Sequence, residues 1–265
     1  MNIMNKNYEI FTESAQYYDL IYKDATRIDY KKSFDDFLIL ANKLGVQLTN
    51  FLDYGCGTGT HAILFAQNDI KVTGIDLSEK QISFANEKIQ TLGLISKVSF
   101  HVGNMINFII SEKFDAAASF FSSFCYLLSD QDVLTFLNNA YSMINPGGFL
   151  MFEFWNSFAI KPDSQHFLII DEEEETIYRF NKTFFDMQTG IATMPMSHLI
   201  IKDDKVVSEF TETHNLRTYT IPLLKSLINQ TKWQLYDIYS NYYNLPEKEK
   251  QPKLSDFRLY AVLKK

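Results

Sequence analysis

The densest chemistry in this chain lies between Asp53 and Asp76. Asp53 precedes a loop, Gly55-Cys56-Gly57-Thr58-Gly59, with glycine at every second position. Glycine lets a backbone turn sharply and approach a ligand closely. Asp76 ends the next β-branched stretch, about 20 residues on, where a carboxylate can accept hydrogen bonds from ribose hydroxyls. Asp53 would repel a pyrophosphate, whereas it can face an ammonium group or fix the loop amides. The dinucleotide fingerprint places its third glycine one step later, and here that place holds Thr60. Spacing and charge together favour a nucleoside that carries a cationic amine over a dinucleotide.

Further along, Asn104 and Met105 follow Gly103 at the end of a third apolar stretch. The carbonyl oxygen of Asn104 can accept from a purine amine. The segment Phe120-Phe121-Ser122-Ser123-Phe124 supplies aromatic faces and hydroxyl oxygens, both of which favour a bound cation. Candidates near an acceptor molecule are Tyr126, Glu153, Trp155, His198, His214 and Arg217. Glu153 can hold an ammonium or hydroxyl, and His214 and Arg217 can contact a phosphate or sugar. His198 more often marks a plain strand position, and His61 and His101 read as packing or structural residues. No His, Cys, Asp and Glu set has metal-ligand spacing, and no G-x-S-x-G elbow is present.

The elements that must position these residues alternate between strand and helix from about residue 50 to 155. FLDY, IKVTGIDL, KVSFHV, FDAAASFFS and FLMFEFW read as strands, while HAILFAQ, SEKQISFANEKIQ and DVLTFLNNAYSMI read as helices. Ser78 is the expected N-cap of the second helix, with Gln81 in the capping-box position. Asp130 or Asp132 is expected to cap the third. Such alternation predicts parallel strands covered by helices. The first 45 residues read as a helical cap, with Tyr8, Tyr17, Tyr18, Tyr22 and Tyr30 over the cofactor side. Residues 161–217 break the alternation and read as an antiparallel β insertion, with turns at DMQTG and KDDK. From 218 the α/β character returns, with a helix capped by Thr220 and two late strands suited to an antiparallel hairpin.

The expected fold is therefore α/β: a Rossmann-like, seven-stranded, mainly parallel sheet with an antiparallel last strand, plus the small insertion. Residues 46–160 and 218–265 form its core.

The 265 residues suit one such domain. A net charge of −7 argues against a nucleic-acid surface. Two cysteines, Cys56 and Cys125, suit a reducing compartment. The polar N-terminus lacks a signal-peptide core, and no run is long enough for a membrane span. Cytoplasmic location without nucleic-acid or membrane partners is the expectation, and a homodimer is compatible with it.

LDYGCGTG, VTGIDLS, VGNM, FDAAASFFSS and INPGGFLMFEFW, in this order and spacing, resemble the class I S-adenosylmethionine (SAM) dependent methyltransferases. A narrower resemblance covers nearly the whole chain. SAQYYDLIYKDATRIDY, FFSSFCYL, FEFW and VSEFTETHNLRTYT are similar to segments of the nucleotide-linked amino-sugar N-methyltransferases.

The resemblance implies SAM as cofactor. The expected cofactor residues are Tyr18, Tyr22, Tyr30, Asp53, Gly55, Cys56, Gly57, Thr58, Gly59, Asp76, Leu77, Gln81, Asn104, Met105 and Phe120. Tyr126, Glu153 and His214 are the expected catalytic set, with Phe121, Ser122, Trp155, His198 and Arg217 around the acceptor. Two departures matter. Many enzymes of the class have Asp where Asn104 stands, and the subfamily has a histidine where Tyr126 stands. The expected reaction is methyl transfer to a small-molecule amine, foremost that of a nucleotide-linked deoxy amino sugar. Transfer to another amine or an alcohol, or SAM binding without transfer, are the alternatives, and an NAD-dependent oxidoreductase is disfavoured by the loop spacing.

Overall fold

The computed structural model describes residues 10–22, 29–172, 174–240 and 252–265. Tyr8 and the other residues of the expected N-terminal cap at 1–9 and 23–28 fall outside these.

Ahead of the sheet come a 3-10 turn at Ser14–Tyr17, a one-turn helix α1 (Tyr18–Ile21) and α2 (Tyr30–Lys43). The α/β core then runs β1 (Asn50–Tyr54), α3 (Thr60–Gln67), β2 (Lys71–Asp76), α4 (Glu79–Thr91), β3 (Val98–Val102), β4 (Phe114–Ser119), α5 (Asp130–Met143) and β5 (Ile144–Asn156). Five strands follow: β6 (Gln165–Asp171), β7 (Thr176–Lys182), β8 (Phe184–Asp186), β9 (Ile191–Lys202) and β10 (Lys205–Tyr219). The chain closes with α6 (Ile221–Ile228), β11 (Gln234–Tyr239) and β12 (Arg258–Lys264).

Strands β3, β2, β1, β4 and β5 lie side by side in that order, all parallel. Strand β12 joins β5 antiparallel, and β11 pairs with β12. These seven strands are the expected core sheet. The hydrogen-bonded sheet is larger, twelve strands among the described residues, because the last residues of β5 also pair with β10 (Thr218↔Trp155 and Tyr219↔Asn156). From β10 the antiparallel run continues through β9 and β7 to β6, with β8 on β9. The C-terminal end of β5 is thus where the core sheet and the antiparallel strands meet.

Successive strand residues point to opposite faces, so a strand buried on both sides reads as continuously apolar. On one face Leu52, Phe152 and Phe154 pack with Phe136 of α5 and Leu224 of α6. On the other, Phe51, Met151 and Val72 pack with Phe37 of α2 and Phe65 of α3. Phe37 meets Phe51, Phe65 and Phe149 at ring-centroid distances of 5.1, 5.4 and 5.1 Å. Truncating one such ring to Ala costs roughly 3–5 kcal/mol.

Local signals act as expected at several ends. Ser78 Oγ accepts from Gln81 N, and Thr220 Oγ1 accepts from Leu223 N. The β9–β10 turn uses Asp203 and Asp204 at φ +49° and +58°, the left-handed pair that a two-residue hairpin requires. One cap differs. Ser129, not Asp130 or Asp132, is the N-cap of α5, and Asp132 closes a reciprocal capping box onto the Ser129 amide. Both acidic residues sit in the first turn instead, where they favour the helix dipole.

Candidate active site at the junction of core and insertion strands

The loop after β1 folds back on β2. Gly55 N and Cys56 N both donate to Ile75 O, at 2.8 and 3.0 Å. Gly55, Gly57 and Gly59 all have positive φ. A side chain at Gly55 would also meet Ser123 Oγ at 2.5 Å, and one at Gly59 would meet Phe100 at 2.6 Å. Asp76 fixes this turn: its two carboxylate oxygens accept from Gly57 N and Ser78 N, each at 2.9 Å. Each oxygen keeps a lone pair for a ligand.

Asp53 is 1% exposed, and one of its oxygens has no hydrogen-bond partner. Burial, helped by the charge of Asp76, pushes its carboxyl up to about 8. Gln81 Oε1 is likewise buried without a partner and lies 3.3 Å from where a Gly57 side chain would begin. Buried acceptors in folded proteins normally have partners. Two orphan acceptors beside a glycine cradle fit a ligand that brings an ammonium group, as the SAM expected from the resemblance does.

Two cavities, of about 770 and 430 Å³, meet along Phe11, Gly55, Asp76, Ser123 and Tyr126. Leu77, Asn104 and Met105 line the smaller one. Asn104 Oδ1 already accepts from Ile106 N at 2.9 Å, so one acceptor position remains for a purine amine. Tyr18, Tyr22, Gly57 and Gln81 line the larger one.

Asp53 and five other expected cofactor residues stand behind these walls. Phe120 is a core residue, stacked on His61 at 4.0 Å. Tyr30 packs on His61 and Phe121, each at 5.0 Å. Thr58 donates its hydroxyl to Asp19 at 2.6 Å, and the thiol of Cys56 is buried. Gly59 starts α3 against Phe100. These five shape the loop rather than the cavity surface.

On the acceptor side, Tyr126 and His214 come together: Tyr126 OH lies 2.7 Å from His214 Nδ1. Both line the larger cavity. Burial lowers His214 to about 4 and raises Tyr126 well above its ordinary value, so both are neutral at pH 7. Trp155, Phe121 and Ser122 line the same cavity. Trp155 Nε1 donates to Ser122 Oγ at 2.7 Å, and Ser122 Oγ donates in turn to Glu153. Phe121 and Ser122 have φ +48° and +64°, uncommon for residues with side chains and a frequent mark of functional sites.

Three of the expected acceptor residues lie outside the walls of both cavities. Glu153 is fully buried and outside the cavity walls, held by Ser122, Tyr260 and Arg258. Tyr260 and Arg258 of β12 cover it and separate it from the site. His198 is buried with its ring stacked on Phe210 at 4.7 Å. Arg217 pairs with Asp130 and lies over Tyr219 at 5.2 Å, also away from the cavity.

The sequence reading missed Phe11 and Arg179, both in the walls. Phe11 meets the rings of Tyr18, Tyr126 and His214 at 5.8, 6.3 and 5.1 Å. Its segment is tied down by Glu212, which accepts from Thr12 N, Ser14 N and Ser14 Oγ. Nothing local in the sequence signals Phe11. Arg179 did leave a signal: in TIYRFNK it stands two residues after the apolar Ile177, on the same face of a strand.

Residues 51–148 match the family described as a methyltransferase domain. YqeM of Bacillus subtilis (strain 168), a putative methyltransferase, is 27% identical over 194 residues, 72% of this chain and 76% of the relative. The dTDP-3-amino-3,4,6-trideoxy-alpha-D-glucopyranose N,N-dimethyltransferase of Streptomyces venezuelae is 27% identical over 214 residues, 78% of this chain and 83% of the relative. A solved S-adenosylmethionine-dependent methyltransferase from Clostridium acetobutylicum ATCC 824 superposes with a TM-score of 0.81 at 19% identity. That match covers 96% of this chain and 98% of the other, and it is a likeness of fold.

Proposed function

We propose that this chain, a SAM-dependent methyltransferase, transfers its methyl group to the amine of a small molecule, foremost a nucleotide-linked deoxy amino sugar. The Streptomyces relative acts on a nucleotide-linked amino sugar by its name. The observation that carries the amine reading is the state of the Tyr126–His214 pair. An alcohol acceptor needs a strong base, and neither member is one: burial holds His214 near 4 and keeps Tyr126 a phenol. An amine needs only to be neutral and correctly aimed.

SAM, once bound, supplies a methyl on a sulfonium that is already a good leaving group. Asp53, Asp76, Gln81 and the 55–59 loop are the residues that would hold it. The chain must then align a nucleophile to within roughly 3–3.5 Å of that carbon and exclude water. Tyr126 performs the aiming. With its own proton directed to His214 Nδ1, its oxygen accepts a hydrogen bond from the amine N–H. The nitrogen lone pair is then left free to attack. A donor at this place would occupy the lone pair and block the reaction. Phe11, Phe121 and Trp155 supply apolar wall to the larger cavity.

Incubation with SAM and a panel of nucleotide-linked amino sugars, other amines and alcohols, read by mass, tests the proposal. We expect one or two methyl masses on an amine. Methylation of alcohols alone would overturn it.

A further inference from the structure

We propose that Arg179 forms an anion subsite in the wall of the larger cavity, holding a phosphoryl group of the acceptor. The acceptor's identity rests on the reading above, whereas the subsite itself asks only for a phosphorylated molecule.

Arg179 differs from the other described arginines. Arg217 pairs with Asp130, and Arg258 lies 3.7 Å from Glu153. Among the described residues, no carboxylate is within ion-pair distance of Arg179. Its guanidinium sits 5.5 Å from the Tyr22 ring centroid, and its Nη1 donates to Tyr22 OH at 3.1 Å. Its Nε is buried and has no partner. Lys161 and Arg258 line the same cavity, so in a chain of net charge −7 three cations gather around it, an asymmetry that an anionic ligand can resolve.

The geometry suits phosphate better than a point contact. A guanidinium presents its donors in a planar fork that matches two phosphoryl oxygens. Tyr22 restrains that fork, so less freedom is lost on binding. Strand alternation places Asn181, two residues on, on the same wall, with His166 paired opposite it. Both are polar and can complete the contacts to a phosphate ester. Asp53 and Gln81, the orphan acceptors expected to hold a cation, lie on the core side, whereas Arg179 is on β7 of the antiparallel strands. One side of the site therefore offers acceptors for an ammonium, and the other a donor for an anion.

Calorimetric titration of the SAM-loaded protein with uridine diphosphate tests this. We expect the nucleotide to bind the wild type, and Arg179→Gln to weaken it by roughly tenfold or more, with SAM affinity and Tm retained. Arg179→Lys, which keeps the charge and loses the fork, should fall between. Raised salt should weaken binding to the wild type more than to Arg179→Gln. Equal nucleotide affinity in wild type and Arg179→Gln overturns the subsite. So does an Arg179→Gln variant that loses SAM affinity instead, since the arginine would then serve the cofactor. Arg179-dependent nucleotide binding without methylation of any amino sugar would keep the subsite and overturn the acceptor reading. Methylation of a sugar nucleotide with unchanged KM in Arg179→Gln would do the reverse.

Discussion

The Tyr126 hydroxyl and His214 Nδ1 are 2.7 Å apart across 88 positions of sequence. One residue comes from the turn after β4 and the other from β10, so the contact exists only because β10 returns to the end of β5. The family resemblance places a histidine at position 126. Here the phenol stands there and an imidazole from a distant strand stands behind it. Glu212 lies 3.9 Å from His214 Nε2 and favours the tautomer with its proton there, which leaves Nδ1 to accept from Tyr126 and makes Tyr126 an acceptor toward the cavity.

If the two act as one unit, their substitutions are not additive. Tyr126→Phe should lower kcat for amine methylation by roughly ten- to hundredfold, with SAM affinity unchanged. His214→Phe should have a similar effect, because it releases the Tyr126 proton into the cavity. The double variant should be no worse than the poorer single one. Rate losses that multiply would show two independent roles.

If Asp53 holds the ammonium of SAM, cofactor binding is a proton-linked event. Its carboxyl is pushed up to about 8 in the folded chain, from an ordinary value of 3.8. At pH 7 it is largely protonated, and an arriving ammonium favours the ionised form. SAM binding at pH 7 should therefore release roughly one proton, read from calorimetric heats in buffers of different ionisation enthalpy. Asp53→Asn should abolish that release and weaken SAM binding. The stability sign is also fixed. A raised carboxyl binds more protons folded than unfolded, so its contribution weakens as pH rises from about 4 to about 8. The Tm difference between Asp53→Asn and wild type, both without SAM, should grow in favour of the variant across that window. A flat difference would show that Asp53 is ionised and paired.

Much of this was legible in the chain, for local reasons. The glycine loop, Asp53, Asp76 and the Ser78 cap are set by backbone requirements within a few residues, and such requirements leave local marks. Strand β9 alternates along most of its length and β10 from Ser208 to His214, and the Asp203-Asp204 turn between them is a local signal. Long-range placement was not legible. Glu153 and Trp155 lie two apart on β5, yet only Trp155 lines the cavity, because Tyr260 and Arg258 of β12 cover Glu153. His198 and His214 look alike in sequence, each on a long antiparallel strand. Phe210 covers the first, and Tyr126 meets the second. Phe11 reaches the site only through the tie of Thr12 and Ser14 to Glu212, a contact about 200 residues away in sequence.

The path from Trp155 through Ser122 to Glu153 shows how a fully buried carboxylate acts on the cavity without touching it. Ser122 stands at φ +64°, where a side chain costs roughly 1 kcal/mol relative to glycine. Its hydroxyl offsets that by satisfying the Trp155 indole and one Glu153 oxygen together. Ser122→Ala keeps the backbone cost and strands both partners, at about 1–3 kcal/mol each. Ser122→Gly strands the same partners but relieves the backbone. Stability should therefore rank wild type, then Ser122→Gly, then Ser122→Ala, as measured by chemical denaturation. Because Trp155 loses its anchor in both, acceptor KM should rise in both while SAM affinity holds. If Ser122→Ala were the more stable of the two, the left-handed turn would be unstrained, and the hydroxyl alone would account for a serine at this position.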